Sequence, residues 1–384
     1  MSTGVASTNY KQEVAPQSDR CNIVGPVFVT KPYLPHPGRI QHYIERACTS
    51  HQLSNRGPLE QLLTDRLQRY FEVDNLLLVS NGTLALQIAQ AALNIKVHKA
   101  NAVTTPFSFV ATASSLLWEG IEPRFSDIDE ATLCLDPTTI SARVDTNTRA
   151  IVPVHVYGNA CDIDSIEKTA QQHDLKTIYD GSHAFGVRYK GQSVLNYGDA
   201  TTLSFHATKL FHTVEGGAIV FKDHNIFDIA KEMSSFGYRS GSIKRVGINA
   251  KMSEIHAAFG LAVLEDIDII FEKRQDLWQH YHEGLADHVT LPQFNSNATA
   301  NHAYFPIILN SETVLHRIMR ACRLQEIYPR RYFHPSLNTL DYMPDKQSCP
   351  VSENISSRTI CLPIYPGLNR QDQNRMIDTI LQAH

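Results

Sequence analysis

Ser204-Phe205-His206-Ala207-Thr208-Lys209-Leu210-Phe211-His212-Thr213-Val214-Glu215-Gly216-Gly217 is the stretch on which the reading of this 384-residue chain turns. It follows the β-branched run Asp199-Ala200-Thr201-Thr202-Leu203 and precedes Ala218-Ile219-Val220-Phe221. A serine, a lysine and a diglycine are thus expected between two strands. A loop lysine is ordinarily solvated, because lysine is seldom buried. The apolar flanks Phe205, Leu210 and Phe211 instead point to a segment inside the protein. A buried amine is disfavoured as a cation, so its pKa falls toward the range where it acts as a nucleophile.

Outward from this stretch the pattern alternates. Asn75-Leu76-Leu77-Leu78-Val79 reads as a buried strand, Ser80-Asn81-Gly82-Thr83 breaks it, and residues 84–93 follow as an Ala/Leu-rich helix. Strands over 101–105, 123–126 and 150–154 lead into helices over 109–118, 136–143 and 162–173, and 176–179 runs as a strand into Asp180. Repeated units of this kind imply a mostly parallel sheet with helices on both faces. In such sheets ligands sit beyond the carboxyl ends of the strands. Gly82-Thr83, Phe107, Phe109, Asp127, Tyr157 and Asp180 all fall at or just after such ends.

Before the sheet, a proline-set extended lead-in (26–35) is followed by helices over 38–49 and 59–71. After it, a helix over 252–266 is expected to continue through 281, and shorter strand-like and helical pieces follow His302. The expected organisation is a flexible polar tail (1–24), a large domain (25–270) and a smaller C-terminal α+β domain (271–384).

Net charge is −4 with no like-charge block, so no nucleic-acid surface is expected. No apolar run reaches the ~18–20 residues that a membrane helix needs, and the polar N-terminus lacks the apolar core of a secretory signal. The seven cysteines are scattered without a CxxC pair, as in a cytoplasmic protein with reduced thiols. Eighteen dispersed histidines without HExxH leave no metal site to expect.

Lys209 would hold pyridoxal 5'-phosphate (PLP) as a Schiff base. That cofactor also needs an acid at its pyridine nitrogen, a phosphate cup and a flat group on its ring face. Asp180 would supply the acid. Gly82, Thr83 and Ser204 would supply the cup, since a helix N-terminus presents unpaired N–H groups to an anion and glycine lets the backbone approach. A turn and helix cap is the other reading of Gly82-Thr83. Phe109, with Phe107 second, would stack on the ring or pack in the core. His183 would meet the phenolic oxygen or serve as a buried structural histidine. His206 and His212 receive no role.

Ser80-Asn81-Gly82-Thr83, Pro106-Phe107-Ser108-Phe109-Val110-Ala111-Thr112, Asp180-Gly181-Ser182-His183-Ala184-Phe185-Gly186, Ser204-Phe205-His206-Ala207-Thr208-Lys209 and Gly247-Ile248-Asn249-Ala250-Lys251-Met252-Ser253-Glu254 occur in this order. Together they resemble the DegT/StrS-type sugar-nucleotide aminotransferases, a branch of PLP fold type I, over roughly residues 32–369. The resemblance implies an α/β fold with a mostly parallel seven-stranded mixed sheet between helices. It assigns Lys209 to the Schiff base and the 1,3-proton shift, Asp180 to the pyridine nitrogen and His183 to the phenolic oxygen. Gly82, Thr83 and Ser204 go to the phosphate. It also has Asn249 reach the phosphate of a neighbouring subunit, hence a homodimer with shared sites. Relatives whose lysine is replaced by histidine are dehydratases, and this chain keeps Lys209. Ser182 and Ala250-Lys251 depart from the family's usual residues.

Tyr328-Pro329-Arg330-Arg331-Tyr332-Phe333-His334-Pro335-Ser336-Leu337 resembles the subgroup acting on dTDP-linked 4-keto-6-deoxy hexoses. Arg330, Arg331, Tyr332 and His334 are the implied substrate contacts; adjacent arginines beside aromatics suit a pyrophosphate, and equally a solvated charged turn. The implied reaction passes the amine of L-glutamate to C4 of the nucleotide sugar, for surface polysaccharide such as lipopolysaccharide O-antigen or for a glycosylated metabolite. UDP-linked sugars, amination at C3, sugar dehydration and a sensor role are the competing readings.

Overall fold

The computed structural model describes residues 25–344 and 346–384. The expected tail over 1–24 lies outside the described residues. Seven short runs rich in β-branched and apolar residues form one sheet: β1 (Leu76–Val79), β2 (Asn101–Thr104), β3 (Glu122–Phe125), β4 (Thr148–Val152), β5 (Lys176–Asp180), β6 (Ala200–Ser204) and β7 (Gly217–Phe221). Their order is β1-β7-β6-β5-β4-β2-β3. All neighbours are parallel except β7, which runs antiparallel to both β1 and β6. This is the mixed, mostly parallel sheet that the sequence implied.

Period-two alternation distributes the strands between two cores. Leu76, Leu78, Val103, Ile151, Tyr179, Leu203 and Val220 face one core. Their neighbours Leu77, Val79, Ala102, Val152, Ile178 and Ile219 face the other. Helices Pro37–Ser50, Pro58–Phe71, Ile163–His173 and Glu254–Leu264 cover the first face with Tyr43, Leu63, Ile166 and Leu261. Gly82–Ala92, Ala111–Trp118 and His224–Met233 cover the second with Leu86, Leu116 and Ala230.

The helix expected from residue 84 begins at Gly82, because the Asn81 side chain accepts a hydrogen bond from the Leu84 N–H at 2.8 Å and caps the first turn. The helix expected to run from 252 through 281 is two helices, Glu254–Leu264 and Ile267–Leu285. The break falls at Glu265-Asp266, whose carboxylates are drawn to Arg39 at 2.8 and 2.7 Å. The phenol of Tyr33 also donates to Asp266 at 2.9 Å.

Ile267–Leu285 links the sheet to a further core. Its first turn packs Ile267 and Ile270 against the first face of the sheet. Its later turns pack Leu277, Tyr281 and Leu285 with β8 (Phe305–Ile308), the antiparallel β9 (Thr359–Leu362) and helices Glu312–Leu324 and Arg370–Ala383.

Two of the strand-end residues hold the C-terminal segment against the sheet edge. Asp127, just past β3, accepts the N–H groups of Val351 and Ser352 at 2.9 Å each and so caps helix Pro350–Arg358. Tyr157 donates its hydroxyl to the carbonyl of Tyr332. Losing a doubly engaged helix cap costs about 1–2 kcal/mol. Asp127→Ala should therefore lower the urea midpoint of unfolding without changing the slope, as measured by circular dichroism.

Candidate active site

A cavity of about 740 Å³ opens at the carboxyl ends of the parallel strands. Gly82, Thr83, Phe109, Asp180, His183, Ser204 and Lys209 all line it, and so do Arg330, Arg331, Tyr332 and His334. Asn249 does not. It is exposed, bridges to Ser235 and accepts a hydrogen bond from Lys251 Nζ at 2.6 Å.

Two glycines set the geometry of the lysine loop. At Gly217 the antiparallel β7 begins opposite both Val79 and Ser204. A Cβ on Gly217 would lie 2.7 Å from the carbonyl atoms of Asn81 and 2.8 Å from the Leu203 oxygen. A Cβ on Gly82 would lie 2.9 Å from that of Ser204. The start of helix Gly82–Ala92, whose first N–H groups have no intrahelical acceptor, is thereby brought against the Ser204 hydroxyl.

Lys209 is half-buried, with its amine facing the cavity. Enclosure pushes the pKa of the ammonium down to about 8, opposed by the charge of Asp180. Asp180 is itself buried, and both of its oxygens are held. The Thr112 hydroxyl donates to Oδ2 at 2.8 Å and the Ser182 N–H to Oδ1 at 3.0 Å. Ser182, one of the departures from the family's usual residues, thus contributes through its backbone.

His183 lies flat against Phe333, with ring centroids 5.5 Å apart and planes 11° apart. Its Nδ1 accepts the Tyr157 N–H at 3.3 Å. Burial holds its pKa well below the usual histidine range, with the Lys209 charge acting the same way. The ring is therefore neutral and carries its proton on Nε2.

Phe109 is 56% exposed and lines the cavity, whereas Phe107 is fully buried against Tyr157 and Phe333. Of the two, only Phe109 offers a ring face to a ligand. His206 reaches Thr208 through Nδ1 at 2.8 Å and lies 3.6 Å from Glu215. His212 is buried and bonds the Tyr33 carbonyl through Nε2 at 2.8 Å, fastening the lysine loop to the lead-in segment.

The two arginines differ. Arg331 bonds Glu312 Oε1 and the Ser357 carbonyl at 2.9 Å, and His334 Nδ1 at 3.1 Å. Arg330 is exposed, donates to the Tyr332 hydroxyl at 3.2 Å and lies over that ring, 5.5 Å from its centroid.

Three residues here had no place in the sequence reading. Thr112 sat inside a quoted motif without a role. Tyr304, whose hydroxyl is 3.4 Å from Lys209 Nζ, sat in a strand-like run without a role. Asn301 donates its amide to the carbonyls of His183 and Phe185, at 2.8 and 3.1 Å, and gave no local signal. Among the described residues no group of His, Cys, Asp and Glu is arranged to hold a metal ion, and no helix is long and apolar enough to cross a membrane.

Residues 37–381 match the sequence profile of the DegT/DnrJ/EryC1/StrS aminotransferase family. The chain is 39% identical over 365 residues to a dTDP-4-amino-4,6-dideoxy-D-glucose transaminase of Shigella dysenteriae, covering 92% of this chain and 98% of the relative. It is 31% identical to a GDP-perosamine synthase of Vibrio cholerae, covering 86% and 92% of the two chains. The crystal structure of DesI in the presence of its TDP-sugar product superposes with a TM-score of 0.88 at 30% identity, covering 93% of each chain.

The charge of Asp180 raises the Lys209 pKa against the effect of burial. Removing that charge should let the midpoint fall further. In Asp180→Asn the Lys209 amine should become reactive at a lower pH than in the parent, as read from pH-dependent acylation of the Lys209 peptide by mass spectrometry. A midpoint that stays put or rises would contradict this electrostatic account.

Proposed function

This chain belongs to the DegT/DnrJ/EryC1/StrS aminotransferase family, and on that footing we propose that it passes the amino group of L-glutamate to C4 of a dTDP-linked 4-keto-6-deoxy sugar. The observation that carries the reading is the gathering of Lys209, Asp180, His183, Gly82, Thr83 and Ser204 around one cavity. The family and the dTDP-sugar relatives support the substrate class.

The residues present fit pyridoxal phosphate. Ser204 and the free N–H groups at Gly82 and Thr83 form a cradle that a side chain at position 82 would fill. Asp180 is a buried carboxylate suited to a protonated ring nitrogen, and Phe109 offers a ring face. Lys209 would hold the aldehyde carbon. Bound there, the cofactor supplies an electron sink that lets an amino group be taken from one substrate and given to another.

The chain's own groups supply the rest. Asp180, fixed by Thr112 and Ser182, would keep a proton on the pyridine nitrogen of the bound cofactor. His183, its tautomer fixed by the Tyr157 N–H, would donate from Nε2 to the phenolic oxygen. With a pKa of about 8, the Lys209 amine can take up and return a proton near neutral pH. Arg330, which meets a phenol rather than a carboxylate, is available to a diphosphate. Arg331 is already engaged by Glu312 and shapes the wall.

The separate core around Leu277, Phe305, Leu315 and Ile380 supports a large cofactor-binding domain over 25–270 and a small domain over 271–384. Phe236, Tyr238, Ile243, Val246 and Ile248 are each at least two-fifths exposed around the hairpin formed by Tyr238–Arg239 and Ser242–Ile243. An exposed apolar group of this kind supports burial against a second copy. In that homodimer, Asn249 at the base of the hairpin would reach the phosphate cup of the partner.

Loaded with pyridoxal phosphate, the protein should be yellow, with an absorbance band that borohydride abolishes and that Lys209→Ala never shows. Given glutamate and a panel of dTDP- and UDP-linked 3-keto and 4-keto sugars, it should aminate the dTDP-linked 4-keto sugar at C4, read by NMR. A colourless protein, or a sugar consumed without a glutamate-dependent amine, would overturn the reading. Mixed dimers of Asn249→Ala and Lys209→Ala chains should recover activity that neither parent shows. Well-formed mixed dimers without recovery would argue against shared sites.

A further inference from the structure

The proposed cycle leaves one group at its reacting amine without a task. Tyr304 immediately precedes β8, and its hydroxyl oxygen lies 3.4 Å from Lys209 Nζ, placed to accept a hydrogen from it. The phenol ring stands edge-on to His183, with centroids 4.9 Å apart and planes 69° apart, and lies 5.6 Å from the ring of Tyr157.

The backbone that carries Tyr304 is fastened from two sides. Asn301, 1% exposed, ties it to the turn that carries His183, because its amide donates to the carbonyls of His183 and Phe185. The Asn301 Oδ1 in turn accepts the Ala303 N–H at 3.1 Å. Gly158 makes room for that amide, since a Cβ there would overlap the Asn301 side chain. From helix Ile267–Leu285, the buried Arg274 donates through Nη1 to the Ala303 carbonyl at 3.0 Å and the Ile364 carbonyl at 3.2 Å. Arg274 makes these bonds with no carboxylate in ion-pair reach among the described residues. A buried cation held by carbonyls alone is costly, so its position behind Tyr304 is a specific constraint on that segment.

We propose that Tyr304 is a positioning residue for the Lys209 amine: its hydroxyl holds Nζ beside Asp180 and His183 whenever the amine is not bonded to cofactor. The inference rests on the aminotransferase reading of the site, in which that amine must be free and aimed for part of each cycle to move a proton. A lysine side chain has several rotatable bonds, and an amine without a partner would spread over many positions in a cavity this large. The phenol restricts it to one.

A hydroxyl oxygen accepts more strongly from an ammonium than from a neutral amine. Tyr304 therefore favours the protonated lysine and opposes the effect of enclosure. The other charged or titratable groups that face Nζ are Asp180 and His183, with Arg274 behind the phenol. Elsewhere the cavity wall contributes His206 and Glu215 from the lysine loop, and Arg330, Arg331 and His334 from the C-terminal part.

The test is trace labelling of the full-length protein with acetic anhydride across pH, with the Lys209 peptide quantified by mass spectrometry. Tyr304→Phe keeps the ring against His183 and removes the oxygen. Its Lys209 midpoint should fall by about half a pH unit, giving roughly threefold more labelling at neutral pH. An unchanged midpoint in folded Tyr304→Phe overturns the proposal. Asn301→Ser, which leaves the phenol but loosens its backbone, should shift the midpoint in the same direction by less, and an unchanged value there counts equally against it. Labelling reads the amine without cofactor. A parent protein that stays colourless with pyridoxal phosphate would thus fail the aminotransferase reading while leaving this measurement intact.

Discussion

Side chains have no room where β1, β6 and β7 meet. Gly217 pairs with both Val79 and Ser204, and any Cβ there would press into the Asn81 carbonyl, which begins the turn into helix Gly82–Ala92. That close approach requires glycine. It draws the helix start, the end of β6 and the lysine loop into one place. The antiparallel direction of β7 matters as much. The chain leaves the carboxyl end of β6, passes through Lys209 and re-enters the sheet at the same edge, so the loop stays short and lies over the strand ends. Asp180, at the end of the neighbouring β5, then faces it without a further loop.

This geometry sets the electrostatics. Enclosure disfavours the charged form of Lys209, and the buried carboxylate of Asp180 pulls the other way. The outcome is an amine poised near neutral pH, neither a permanent cation nor fully deprotonated. Burial acts on His183 in the same sense, and the Tyr157 N–H settles which nitrogen bears the proton. Both oxygens of the Asp180 carboxylate are held, one by the Thr112 hydroxyl and one by the Ser182 N–H. Lys209 and Asp180 follow the ends of neighbouring strands, and Ser182 holds Asp180 from two residues away.

That locality explains what could be read from the chain. The strands alternate visibly, the glycines interrupt them where the backbone must approach, and Lys209, Asp180 and His183 sit in short motifs beside strand ends. Helix boundaries were less legible. Gly82 and Thr83 looked like a turn because the cap comes from the Asn81 side chain, and one long amphipathic run concealed the break at Glu265-Asp266, whose carboxylates pair with Arg39 more than two hundred residues away in sequence. Tyr304 and Asn301 were illegible for the same reason. Tyr304 lies in a strand-like run and Asn301 in the polar stretch just before it, and their significance comes from contacts with Lys209 and His183, about a hundred residues upstream.

Part of the cavity wall thus comes from chain where the two cores meet: Tyr304, Tyr332 and Phe333 pack on the sheet's core, while Phe305, next to Tyr304, belongs to the other. Tyr304 and residues 330–335 line the cavity, and the buried Asn301 stands three residues before Tyr304. Such a wall could slide if it rested on apolar packing alone, because that packing has little directional preference. Directional bonds fix it: Asn301 to the His183 turn, Tyr157 to the Tyr332 carbonyl, Asp127 to the start of Pro350–Arg358, and Arg331 to Glu312. The twin arginines make the distinction concrete. Arg331, with its charge met by Glu312 and a carbonyl, is part of that framework, and its neighbour Arg330 is left facing the cavity with a charge that a ligand can answer. Two identical side chains one residue apart are separated in role by where Glu312 lies, which no reading of the dipeptide alone could supply.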